Sequence, residues 1–199
     1  MATSVFPTIS SAQTLFTPGL PVPTFPSGLT LRNTYTSTTT GITGQPSVVF
    51  VVMSGGGGNG GSSDGGTIGG GGGGAGNIVM GYFPSFASCV VGGATGATYL
   101  GSTSPTASAG NNGFTSYTVD SGGAGGGILA SETTRFHSVS GGKGTSGGDF
   151  YTGTGGSAIT FLQNINPSLG SNTGRGGNGG YGSPTAGGTG YAGVVMVFW

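Results

Sequence analysis

Val48-Val49-Phe50-Val51-Val52-Met53 runs directly into Ser54-Gly55-Gly56-Gly57-Gly58-Asn59-Gly60-Gly61, and Gly69 to Gly74, Ala75 and Gly76 follow a short polar insert. The first six residues are apolar, rich in β-branched side chains and bounded by Ser and Gly, which marks a buried strand. The glycines after them suit neither an ordinary helix nor an ordinary strand. Each loses more backbone entropy on ordering than any other residue and brings no side chain to pack. Such a tract is either a flexible linker or backbone packed so closely that only hydrogen fits on Cα.

The patterning favours order. Glycine runs recur at 54–76, 121–127, 141–156 and 174–190, alternating with apolar and aromatic segments. The chain then closes on a second buried-strand signal, Val194-Val195-Met196-Val197-Phe198-Trp199. The geometry expected of ordered glycine is polyglycine II, with three residues per turn and no hydrogen bonds inside one strand. Side-by-side strands without Cβ bond to one another instead. Collagen is excluded, because glycine does not fall at every third position and 10 prolines are too few. Val48–Met53 and Val194–Trp199 are expected in one sheet, with the glycine segments leaving from one end.

The expected fold is therefore mainly β with polyglycine II segments. It is a small sheet or sandwich with packed glycine-rich layers, long loops and almost no helix. No apolar periodicity of 3.6 residues persists over three turns. Residues 157–169 fit either a short helix or a strand. Short strand candidates include Ile78–Met80, Cys89–Val91, Ala97–Leu100 and Phe114–Val119.

Residues 1–46 differ from the body at 47–199. They hold six of the ten prolines, so the arm is extended or turning. Its apolar residues, among them Phe6, Leu15, Phe16, Leu20 and Phe25, suit docking onto another subunit. A capping N-terminal strand of the same domain fits as well, with Leu29–Thr40 as an edge strand.

Composition narrows the function. Glycine is 50 of 199 residues, charged residues are 4 % and the formal net charge is zero. No basic surface is available to neutralise phosphates, which argues against nucleic-acid binding. Near-zero charge favours association, so the chain is expected in a larger assembly. The longest apolar runs have six residues, so no bilayer-spanning segment is expected, and no Sec-type signal opens the chain. The single cysteine, Cys89, lies among small and apolar neighbours and reads as a core residue.

No catalytic set emerges. One histidine, His137, cannot build a multi-histidine metal site, and Asp64, Asp120, Glu132 and Asp149 are scattered. Gly141-Gly142-Lys143-Gly144-Thr145 lacks the Ser or Thr that follows the lysine of a phosphate loop. Neither an enzyme nor a cofactor nor a metal is expected.

The apolar strand running into SGGGGNGG and GGGGGGAG, with the ending GGYGSPTAGGTGYAGVVMVFW, resembles the glycine-rich domain at the end of many bacteriophage tail-fibre and virion proteins. More loosely, it is similar to the polyglycine II fibre-tip adhesins of T-even-type phages. The resemblance covers residues 47–199, and Leu15-Phe16-Thr17-Pro18-Gly19 resembles the lead-in of such domains. It implies a virion protein that attaches to a host surface receptor, a glycan or an outer-membrane protein. Segments 82–118 and 128–172 would then be receptor-reading loops. Their contact candidates are Tyr82, Phe83, Phe86, Tyr99, Tyr117, Phe136, His137, Phe150 and Tyr151, since aromatic side chains give rigid, partly polar contact area. The arm would bind other virion proteins, and a homo-oligomer, such as a trimer, is expected. The alternative is a purely structural virion component, a capsid spike, decoration or tail protein.

Overall fold

A computed structural model describes residues 25–63, 69–101, 105–114, 136–139, 153–157, 159–181 and 185–199. Two antiparallel sheets pack face to face. The first has the order β1 (Leu31–Tyr35), β9 (Val194–Phe198), β3 (Val48–Ser54), β4 (Ile78–Pro84) and β8 (Phe136–Val139). The second has the order β2 (Thr39–Thr40), β5 (Ser88–Val90), β6 (Thr98–Leu100) and β7 (Thr106–Ala107). One helix, α1, spans Ile159–Ile165.

The two apolar runs are neighbours, as their mirrored positions imply. Phe50 pairs with Phe198 and Ser54 with Val194. They are continuous rather than alternating because both faces of the sheet are covered. Phe50, Val52, Ile78, Met80, Val194, Met196 and Phe198 meet Phe161, Leu162 and Ile165 of α1, together with Phe25 and Leu31. Val49, Val51, Met53, Val79, Val195 and Val197 meet Cys89, Leu100 and Ala107 of the second sheet. Full burial of each such side chain contributes about 1.5–3 kcal/mol, which fixes the register of the central strands.

The ambiguous stretch at 157–169 resolves as helix because it covers an open apolar face of the sheet. The strand candidates at Cys89–Val91 and Ala97–Leu100 become β5 and β6, so the segment 82–118 that the resemblance made a receptor-reading loop also supplies three short strands of the second sheet. The described part of the arm, 25–46, joins the body: β1 pairs with β9 and β2 with β5. Phe25 is fully buried in this chain's own core, edge-on to Phe50 and Phe198 at centroid distances of 5.1 and 5.0 Å.

All three central strands meet the glycine at one end, where Ser54 pairs with both Ile78 and Val194. Beyond it lie six described glycine-rich segments: 55–63, 69–77, 108–114, 153–157, 174–181 and 185–193. Their main-chain bonds repeat every third residue. Gly55, Gly58 and Gly61 donate N–H to the carbonyls of Asn77, Gly74 and Gly71 on the second segment, at 3.1, 2.8 and 2.8 Å. Gly57, Gly60 and Ser63 donate to Tyr191, Gly188 and Thr185 on the sixth. Gly70, Gly73 and Gly76 donate to Gly180, Gly177 and Gly174 on the fifth, while Gly71, Gly74 and Asn77 donate to Phe114, Asn111 and Ser108 on the third. Gly177 and Gly180 donate to Gly58 and Gly61, and Gly153 and Gly156 donate to Gly70 and Gly73. A bond direction that recurs at i, i+3 and i+6 is the threefold symmetry of polyglycine II.

These pairings define a triangular array. The third, first and sixth segments form one row, the second and fifth the next, and the fourth the apex. Every adjacent pair in that arrangement is hydrogen-bonded. A methyl on Gly73 would overlap the carbonyl oxygen of Gly58, and one on Gly179 that of Gly70. The hydrogen in its place instead points at that oxygen, a weak Cα–H···O contact.

Where the array has no neighbouring strand, asparagine side chains substitute for one. Asn59 N–H donates to Asn112 Oδ1 at 2.8 Å, Gly190 N–H to Asn59 Oδ1 at 2.9 Å, and Gly155 N–H to Asn178 Oδ1 at 3.0 Å. The connection between β5 and β6 supplies further partners through Gly56 N–H to Gly96 O and Thr95 N–H to Gly57 O, both at 2.9 Å.

Two glycine substitutions separate close packing from mere composition. Gly73→Ala forces backbone apart inside the array and should destabilise the protein by about 3 kcal/mol or more. At Gly93 nothing lies within 4 Å of an added methyl, so Gly93→Ala should stay within about 0.5 kcal/mol of the parent. Denaturant unfolding of both variants checks this.

Candidate functional site: the ends of the glycine array

The strand directions give the molecule two distinct ends. The first segment runs away from the sheets to Ser63 and the second returns from Gly69; the third runs outward to Phe114. The fourth starts inward at Gly153, the fifth runs outward to Tyr181 and the sixth returns from Thr185. The bonds Gly61–Gly71, Ser63–Thr185, Gly70–Gly180, Gly71–Phe114 and Gly153–Gly70 set these residues at one level. Every one of these segment ends therefore lies at the far tip of the array. At the opposite end of the molecule Phe25 packs on Phe50 and Phe198, and Thr30 and Trp199 exchange main-chain bonds at 3.3 and 3.2 Å. The described chain thus begins at the base, and its glycine segments repeatedly end or restart at the tip.

The described contact candidates are not gathered into one site. Tyr82, on β4, is exposed and its ring stands edge-on to Phe50 at 5.1 Å. Phe83 points the other way and is buried between the sheets. Phe86 is half-buried against the same cluster, and its N–H donates to Gln45 Oε1 at 3.0 Å. Tyr99 is half-buried on β6, with Val90 and Thr106 as its register partners. Phe136 and His137 lie on β8 opposite Gly81 and Met80. Tyr117, Phe150 and Tyr151 lie outside the described residues, as do Phe6, Leu15, Phe16 and Leu20 of the arm. In sequence, Tyr117 follows Phe114 by three positions, and Phe150 and Tyr151 shortly precede Gly153.

The array itself displays aromatic residues that the sequence reading passed over. Phe114, Tyr181 and Tyr191 are 63, 46 and 43 % exposed. The signal was available: a large side chain interrupting a packed glycine run has no space inside the array and must project from it. Phe114 and Tyr181 close their segments at the tip. Tyr191 sits near the sheets, where its N–H donates to Arg175 O at 2.9 Å.

Charge is sparse among the described residues. Of Asp, Glu, Lys and Arg, the described residues include only Arg32 and Arg175. Arg32 lies over the Trp199 ring, 5.9 Å from its centroid. Among the described residues no group of three or more His, Cys, Asp or Glu could hold a metal ion, and no helix is long and apolar enough to cross a membrane. No protein-family model matches the chain, and no curated protein is significantly similar to it.

Cys89 is fully buried in the core between the sheets. Burial pushes its thiol pKa up, against a smaller lowering by a hydrogen bond from the Thr39 backbone. The neutral thiol is thus favoured in the folded state. Its stabilising effect is complete below the free-thiol pKa of about 8.5 and is lost as pH rises through the higher folded value. The thiol should resist alkylation at pH 8 in the native protein and react promptly in denaturant, as mass spectrometry would read; rapid native labelling would contradict this burial.

Proposed function

We propose that this chain is a bacteriophage virion protein of fibre or spike type that attaches the particle to the host cell surface. The observation that carries the reading is the polarity of the molecule. Residues 64–68, 115–135, 140–152 and 182–184 are each joined to the array at its far tip through at least one end, whereas the N-terminal segment joins at the base. An array whose segments end and restart at one tip is suited to presenting variable sequence to a receptor. Its base is suited to attachment to other virion proteins through the arm.

The near absence of charge supports a place in an assembly. Tyr117, Phe150 and Tyr151 remain the receptor-contact residues of this reading, since their sequence positions adjoin tip residues. Stiff anchoring points lower the entropy cost of ordering a contact surface on binding.

Binding of the purified, fluorescently labelled chain to a panel of bacterial strains tests the proposal. Saturable coating of susceptible strains is expected. It should fall at least about tenfold when residues 140–152 are replaced by a Gly-Ser segment of equal length, because aromatic anchors carry most of such binding energy. Coating of no strain, together with incorporation into particles that lack the protein, would favour a structural virion component.

A further inference from the structure

Between the fifth and sixth glycine segments runs a groove of about 310 Å³, lined by Arg175, Gly176, Gly177, Asn178, Gly188, Thr189, Gly190 and Tyr191. That volume is at the lower end of small-ligand sites. We propose that this groove binds a single anionic sugar unit, with the Arg175 guanidinium on its acidic group and its ring against Tyr191.

The groove exists because of the array. Segment bonding places Tyr191 N–H on Arg175 O at 2.9 Å and Gly188 N–H on Asn178 O at 2.7 Å, so the two walls are locked at fixed separation. Glycine keeps the floor at backbone level. A methyl on Gly177 would overlap the carbonyl oxygen of Gly188 on the facing wall, whereas at Gly188 the nearest atoms are 3.4 Å away. Gly188 therefore has room for a side chain that the sequence does not supply, and the groove stays open there.

The wall chemistry selects the ligand class. Arg175 is half-buried, and its Nη1 makes one long hydrogen bond, 3.4 Å, to Asn172 Oδ1. Among the described residues no carboxylate side chain lines the groove. A guanidinium offers a planar fork of donors that matches a carboxylate or phosphate. Tyr191 and Thr189 are exposed beside it, giving an amphipathic ring and a hydroxyl. A cation, a ring face and a hydroxyl along a narrow polar floor fit a sugar bearing a carboxylate or phosphate. They do not fit an apolar ligand, which needs a predominantly apolar lining.

This inference stands apart from the attachment reading, because it concerns the side of the array and is measured without cells. Titration of the full chain with galacturonic acid, glucose 6-phosphate and neutral galactose, followed by NMR, separates the sources of the acidic group. One of the two charged sugars should bind at least about tenfold more tightly than galactose, the factor expected for a charge-assisted hydrogen bond. Arg175→Gln should abolish that preference, and Gly188→Val should weaken every sugar at least about fivefold, while Arg32→Gln changes nothing. Unfolding midpoints equal to the parent's show that the variants are folded. Equal affinity for charged and neutral sugars, no binding at 50 mM, or an unaltered preference in Arg175→Gln would each overturn the proposal. Sugar binding without cell coating would sink the attachment reading alone.

Discussion

Main-chain hydrogen bonding between laterally packed glycine strands is the constraint from which the architecture follows. In a sheet each strand bonds to two neighbours in one plane. Here the bond direction rotates through a third of a turn per residue, so the first segment bonds to the second, third, fifth and sixth. The core of the array is therefore made of peptide groups and Cα hydrogens. Net, one such bond contributes only about 0.5–1.5 kcal/mol, but leaving a buried amide unpaired costs about 1–3 kcal/mol. The array gains its uniqueness from that asymmetry, because a shift by one residue would break bonds along several neighbours at once. It also offsets the conformational cost of ordering glycine, the residue that loses most freedom on folding.

The sandwich and the array depend on each other. Ser54, Ile78 and Val194 hand three strands of the first sheet into the array at one level, so the sheet fixes the starting register of the first, second and sixth segments. The connection between β5 and β6 in turn reaches across to satisfy Gly56 and Gly57 through Gly96 and Thr95. Helix α1 closes the remaining apolar face with Phe161, Leu162 and Ile165. The result is a molecule with a side-chain core at one end and a backbone core at the other. The backbone core excludes bulky residues, so every aromatic within it must face outward.

Much of this was legible in the residues. Two continuous apolar runs, each abutting glycine, identified the central strands and the end from which the array leaves. Repeated glycine tracts without a collagen period identified the packing mode. Other features were hidden because they depend on contacts distant in sequence. Helix α1 spans seven residues, too short for periodicity to distinguish it from a strand, and it forms where a sheet face needs a cover. The second sheet was only partly legible: Cys89–Val91 and Ala97–Leu100 stood out as short strand candidates, but β5, β6 and β7 have only three, three and two residues, too few to show how they pair. Phe25 sits in a proline-rich stretch that suggested docking elsewhere, yet it fills a gap between Phe50 and Phe198. The groove at Arg175 and Tyr191 was invisible because its walls are 16 residues apart in sequence (191 − 175) and meet only through the pairing of the fifth and sixth segments.

Amide hydrogen exchange resolved at single glycines tests the backbone core most directly. Gly58, Gly61, Gly70, Gly73, Gly177 and Gly180 each donate to a carbonyl in the array. Their exchange should be as slow as that of Val51 and Val52 in the central strand, opening only with the whole fold. Exchange at these glycines near the rate of an unstructured peptide, with the strand amides still protected, would contradict the account.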